Sequence, residues 1–304
     1  MSARLIKTRQ KLTLFKFDHA EHQLSKEILI KEDDIFCQPL HSEEQRPFFG
    51  VLTRMQLESL LKQFGVLSGL KKRGFENVVI EVNTKDPFEH SFQINSLRAD
   101  SRFLLIEAVL HKTAMELGQF TKAPKSPEKV DVLFVEWLLL QDPFRDFDEH
   151  RPQLPGQRCP GLGLASEVLR VLIEVCKRCG LGGLVAVPGH YHNAIIFSTS
   201  FKYLNAECEG KLRALRRDLA RYPLAMISWA VELNCVKDAG SGEYLNWFVG
   251  WQVLEIGERL KRYFASRDYC EQVSKTFREK QYVLDGAKFE VEKEKIPQLA
   301  EVII

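Results

Sequence analysis

Arg158, Gly161 and Gly163 carry the first chemical signal in this chain. They lie in the run from Arg158 through Cys159, Pro160, Gly161, Leu162, Gly163 and Leu164 to Ala165, just where an apolar-periodic segment begins. Glycine lets a backbone approach an anion with no Cβ in the way, and the first N–H groups of a helix, with the positive end of its dipole, then point at that anion. A turn of this kind suits a phosphate, with backbone from Gly161, Leu162, Gly163, Leu164 and Ala165 and a cation from Arg158. The same residues also read as a Pro-Gly turn that only starts a helix, because short glycine motifs arise often by chance.

Other residues could do chemistry. Glu136 is a carboxylate within the apolar run Val130 to Leu140, on the same alternating face as Val132, Phe134 and Leu138, where burial would make it a stronger base. It reads equally as the buried partner of an arginine. His190, Tyr191 and His192 follow a short apolar run, and His192 is a candidate proton donor there. Cys176 and Cys179 have redox or zinc spacing, yet no second Cys or His pair lies at a matching distance, so two semi-buried thiols are the simpler reading. Cys159 lies beside Arg158 at a helix start, a setting that favours the thiolate. His19 and His22 sit among Asp18 and Glu21 on a polar segment, which reads as a solvated face more readily than as a metal site.

Positioning such groups requires a strand, a turn and a helix. Val130 to Leu140 is apolar on both alternating faces, as a strand in the middle of a covered sheet must be. Leu164, Val168, Leu169, Leu172, Ile173 and Cys176 recur at helical spacing until Cys179 and Gly180, with Lys177 and Arg178 near the negative end. Gly183 to Val187 predicts a second buried strand stopped by Pro188, and a further helix is expected to open near Asn193.

This succession resembles the GNAT acyltransferases, whose signature is R/Q-x-x-G-x-G/A at the start of a helix following a central strand. Arg158, Gly161 and Gly163 fit the three signature positions, and Val187 to Tyr203 is similar to the family's next segment, in which an Asn, here Asn193, opens a helix. The resemblance covers about a quarter of the chain and implies several things. The loop's backbone amides would hold the pyrophosphate of acetyl-CoA or another acyl-CoA. The activity would be acyl transfer to an amine, with Glu136 as base. The strand at Leu184 to Val187 would run parallel to Val132 to Leu140 and splay from it at the cofactor site. Three departures stand out, one being Leu162 between the glycines, where a smaller or basic residue is common in that family. Residues 142 to 157 form a polar, Pro-rich insertion between strand and loop, and Phe197 falls where many members carry a tyrosine that serves as general acid. A non-catalytic GNAT-like module that binds acyl-CoA or a protein partner is therefore the alternative.

The remaining sequence sets bounds. The 304 residues are 45% hydrophobic, enough for a substantial core. Lys and Arg total 43 against 41 Asp and Glu, so a net charge of +2 gives no global case for nucleic-acid binding. Seven cysteines without a tight framework fit a reducing cytoplasm, no secretory leader is expected at the N-terminus, and no apolar run reaches the roughly 20 residues of a membrane span. Leu52 to Lys72 predicts a helix opened by a Thr53/Gln56 capping box and closed by Lys71, Lys72, Arg73 and Gly74, whose cations suit the helix dipole. Strands are expected at Asn77 to Val82, Phe88 to Ile94, Arg102 to His111, Leu224 to Val236 and Trp247 to Ile256. Helices are expected at Glu207 to Arg221, with a basic face, and at Gly257 to Lys280, before a charged tail. The whole predicts an α/β fold of GNAT type, a mixed and mostly antiparallel sheet with helices on both faces. Its organisation is an N-terminal arm (1–47), a core (48–256) and a C-terminal helix and tail (257–304). A Rossmann dehydrogenase is disfavoured, because the glycine turn lies mid-chain after a meander.

Overall fold

The computed structural model describes residues 46–99, 101–117 and 129–296. The His19/His22 cluster, the N-terminal strand signals and most of the Pro-rich connector lie outside the described residues. Helix α1 (Arg54–Gln63) is opened by the expected capping box, in which Thr53 accepts from the Gln56 amide and Gln56 from the Thr53 amide. Thr53→Ala is expected to lower stability by about 1 kcal/mol in a denaturant titration. The single helix anticipated over Leu52 to Lys72 is broken instead. Gly65, at φ +84°, turns the chain in the left-handed region before α2 (Val66–Lys72) begins.

Four antiparallel strands follow, β1 (Val78–Asn83), β2 (Glu89–Arg98), β3 (Ser101–Glu116) and β4 (Lys129–Leu140). After β4 come α3 (Ala165–Arg178), β5 (Gly183–Ala186), α4 (Tyr191–Phe197), β6 (Lys202–Tyr203), α5 (Ala206–Asp218) and α6 (Leu224–Glu232). The chain continues through β7 (Val236–Asp238), β8 (Gln252–Glu255), α7 (Glu258–Phe264), α8 (Arg267–Glu279), β9 (Tyr282–Leu284) and α9 (Gly286–Lys293). The main sheet has the order β1-β2-β3-β4-β5-β8-β6, and β7 pairs with β9 in a separate ribbon. Within the main sheet, β4 and β5 form the parallel pair among the described residues.

Both faces of the sheet are covered. Leu133, Val135, Leu184 and Ala186 pack with Leu57 and Leu61 of α1, Leu70 of α2 and Val168, Leu172 and Val175 of α3. On the opposite face Val130, Val132, Val185 and Val253 pack with Leu260, Tyr263 and Phe264 of α7 and Tyr269 and Val273 of α8. The alternation of β4 between two cores is why its sequence is apolar on both faces. A third core joins α4, α5, α6 and α9.

The C-terminal third differs from the sequence reading. The stretch expected as a strand over Leu224 to Val236 is mostly α6, buried on nearly all sides. A continuous apolar run reads alike as a buried strand or a buried helix, and here it packs as a helix with Pro223 at its N-cap. Only Gln252–Glu255 of the run Trp247 to Ile256 is strand. The long helix over Gly257 to Lys280 is two helices, because Ser266 leaves the helical conformation and its hydroxyl caps α8 through the Tyr269 amide. The charged tail is α9, capped by Asp285 and anchored by buried Phe289.

Candidate functional site

The insertion at 142–157 leaves β4 and returns to it at one point. Gln141 bridges to Gly161, the Asp142 amide donates to Pro160 O at 2.8 Å, and the Leu162 amide donates to Leu140 O at 3.4 Å. The glycine loop therefore sits against the end of β4 much as a direct strand-to-helix connection would place it. The excursion itself is anchored: Trp229 Nε1 donates to Gln153 O, and the Arg98 guanidinium lies 3.7 Å from the Phe144 ring centre.

Two leucines pin the loop from below. Leu162 and Leu164 are 1% and 2% exposed within the core shared with α1, α2 and α3. Leu164 lies so close to Gly69 that a β-carbon there would sit 2.5 Å from Leu164 Cδ2. Gly163 between them is exposed at φ +66°, a conformation only glycine adopts without strain. The Leu162 amide, part of the expected phosphate cradle, is spent on β4, and its side chain is core, so Leu162 acts as an anchor. The N–H groups of Gly163, Leu164 and Ala165 have no acceptor among the described residues, and no side chain caps α3. Glu167 in the first turn partly offsets the dipole, and its Cγ leans toward the α1–α2 turn at Gly65.

Two guanidinium groups belong to this loop. Arg158 is exposed and makes no hydrogen bond or ion pair among the described residues. Arg73, closing α2, donates through Nη1 to Gly69 O at 2.8 Å and through Nη2 to Gly163 O at 3.1 Å. By sequence Arg73 suits the dipole of its own helix, with a basic ligand patch as the alternative; packing of α2 against the α3 entrance brings it to the loop. Cys159 departs from expectation. Burial pushes its thiol up, Asp142 adds to that, and the opposing effect of Arg158 is smaller, so the thiolate is not favoured. Cys176 is pushed up to about 12, chiefly by burial, with its sulfur against Gly183 O at 3.3 Å and Leu181 O at 3.7 Å. Among the described residues no group of three or more potential metal ligands comes together.

Glu136 sits in a β-bulge. Val109 pairs with Trp137 and Leu110 with Val135, leaving Glu136 as the extra residue. The bulge breaks the alternation on which the sequence reading relied. Leu138 packs into the core with Val135, whereas Glu136 stays on the side of Phe134. Glu136 is only partly buried. Its Oε2 lies 3.5 Å from His111 Nδ1, with the two side chains 29% and 31% exposed, and His111 stacks on Phe134. Glu89, opposite His111 on β2, hydrogen-bonds Glu136. Its carboxyl is pushed up, first by burial and then by the Glu136 charge. His111 and Glu89 carry no motif; register alone joins them to Glu136.

The parallel ladder between β4 and β5 runs only through Leu133/Leu184, Phe134/Val185 and Val135/Ala186. Beyond it, β4 continues past the bulge to Leu140 while β5 ends, so the two strands part at Glu136. No protein-family model matches the chain, and no curated protein matches it. The geometry of the site thus stands on its own residues: a strand bulge with a carboxylate and an imidazole, an open edge beside it, and a glycine loop with two guanidinium groups at the strand end.

Two expected residues lie elsewhere than anticipated. His192 is 1% exposed, and neither ring nitrogen has a hydrogen-bond partner among the described residues. Burial, with a smaller effect of the adjacent His190, holds it down at about 3, so at neutral pH it is an uncharged imidazole and not an imidazolium acid. His190 is the one that meets a carboxylate, Glu232, at 3.0 Å. Asn193 does not open its helix. α4 starts at Tyr191 after His190, which leaves Asn193 5% exposed within the first turn. Phe197, at the end of α4, packs against Phe201 with ring centres 5.4 Å apart.

Proposed function

We propose that this protein is an acyl-CoA-dependent N-acyltransferase, moving an acetyl or longer acyl group from the thioester to an amine. The observation that carries the reading is the brief parallel contact of β4 with β5, which opens at Glu136 on the strand whose end meets the uncapped start of α3. The sheet order, with β5 followed across the sheet by antiparallel β8 and β6, supports a GNAT-type architecture. Gly163, Leu164, Ala165 and Arg158 would hold the pyrophosphate, joined by Arg73, with Leu162 as anchor and Asn193 shaping the α4 side. The thioester would enter the gap between the strands. Glu136 lies on the face opposite α3, so the amine would arrive from the side away from the coenzyme.

The chemistry at that gap follows from these groups. The amine must lose a proton before its nitrogen lone pair attacks the thioester carbon, and Glu136, held by His111, is placed to take it. The C–N bond forms, and as the tetrahedral adduct collapses the C–S bond breaks and the extra proton on nitrogen passes to the departing sulfur, so that amide and coenzyme thiol are released. Between Val135 and the loop contact at Leu140, the β5-facing edge of β4 has no ladder partner among the described residues, and backbone N–H groups there would stabilise the oxyanion. A thiol-release assay with several acyl-CoAs and an amine panel tests the proposal. Acetyl-CoA binding without product would favour a non-catalytic binding module, the second reading, which draws on Phe197 and on the uncharged, buried His192. Arg158→Ala is expected to weaken acetyl-CoA about tenfold at low salt and less at high salt, as for an exposed charge pair; calorimetry at two ionic strengths checks this.

A further inference from the structure

A second basic site lies between the end of α4 and the outer face of α5. A cavity of about 400 Å³ is lined by the turn from Ser198 to Lys202 and by Glu209, Leu212, Arg213 and Arg216 of α5. None of these residues belongs to the loop at 158–165, and the cavity is large enough for a small ligand. We propose that it binds a phosphate monoester, a dianionic phosphate carried on a small organic group.

The charges support an anion. The other cations of α5 are engaged: Lys211 pairs with Glu207 at 2.5 Å, and Arg217 meets Asp218 and the carbonyls of Phe277 and Lys280. Arg216 meets no carboxylate among the described residues; it gives one N–H to Ser198 Oγ at 3.2 Å. Arg213 spends its Nε on Glu209 at 2.8 Å, which leaves both terminal nitrogens of its fork. Glu209 is the one acid in the lining; Arg213 neutralises it, and the Tyr203 amide donates to its other oxygen at 2.9 Å. Lys202 is balanced by Glu255 at 2.8 Å, so the uncompensated charge is that of Arg216. The negative end of α4 is masked as well, because Ser198 and Thr199 hydroxyls bind its last carbonyls at Ile195 and Ile196. Two guanidinium forks converging on one cavity suit the oxygens of a phosphate better than a single carboxylate. Buried Phe201 and Leu212 form an apolar floor for the organic part.

The probes are phenyl phosphate, CoA and dephospho-CoA, titrated into the full chain labelled with ¹⁵N, with Arg216→Ala and Ser200→Asp as variants. Both positions are exposed, and unchanged melting curves confirm that the variants fold. Phenyl phosphate should perturb the amides of Ser198 to Lys202, and both variants should weaken it at least tenfold. If saturating CoA displaces it and dephospho-CoA does not, the natural phosphate is the coenzyme's own 3′-phosphate. If it binds alongside CoA, the natural ligand is a separate phosphorylated molecule. Either result supports the pocket. Phenyl phosphate binding in a protein that ignores CoA would also support the pocket while removing the acyltransferase proposal. No perturbation at Ser198 to Lys202, or equal affinity in the wild type and both variants, overturns the proposal, whatever CoA does.

Discussion

Glu136→Gln is expected to lower kcat about a hundredfold while leaving acetyl-CoA affinity nearly unchanged, the size of effect typical for loss of a positioned base. The amide keeps the shape of the side chain and the bulge that presents it but cannot accept the amine proton. The loss should shrink as pH rises, because more of the acceptor then arrives already deprotonated. Folding should barely change. The Glu136–His111 contact is 3.5 Å long and about a third exposed on each side, and pairs of that kind contribute on the order of 1 kcal/mol or less. Steady-state kinetics across pH, with melting curves of the same samples, check the claim. Full activity in the variant, or a loss that tracks unfolding, removes Glu136 from the mechanism.

Gly163→Asp is expected to abolish measurable acetyl-CoA binding. Three effects act together at one position. The φ of +66° costs a non-glycine residue about 1–2 kcal/mol, the new carboxylate repels the pyrophosphate, and it lies where Arg73 Nη2 would pair with it. A β-carbon at Gly163 would sit 3.4 Å from that nitrogen, so the substitution both adds an anion and occupies a cation. Gly161→Ala is the matched control. Its β-carbon would have Leu140 O as nearest neighbour at 3.8 Å, an ordinary contact, and no left-handed backbone is required. Calorimetry should therefore find near-normal affinity for Gly161→Ala and none for Gly163→Asp. Normal affinity in a folded Gly163→Asp protein would exclude the loop as the coenzyme site.

The sequence by itself determined the centre of this protein, and local physics explains why. A strand covered on both faces must be largely apolar on both alternating sides, so β4 was legible from Val130 to Leu140. The 3.6-residue stripe of α3, its glycine entrance and the short β5 were equally local, as was the capping box of α1. Each of these signals is complete within its own element. Tertiary structure decided the rest. The buried run at Leu224 has no periodicity to separate helix from strand, and only its place among α4, α5 and α9 makes it a helix. The bulge at Glu136 depends on the register against β3, and it moved Leu138 to the other face from the one alternation predicts. His111 and Glu89 reach Glu136 through strand pairing, across separations no motif spans. Arg73 reaches the loop across a sequence separation of 90. His192 was legible as a titratable group, but its burial follows from the packing of α4, and that burial keeps it neutral. Side-chain identity and spacing encode which groups can do chemistry; desolvation and cross-strand register, which arise only on folding, decide which of them meet and in what charge state.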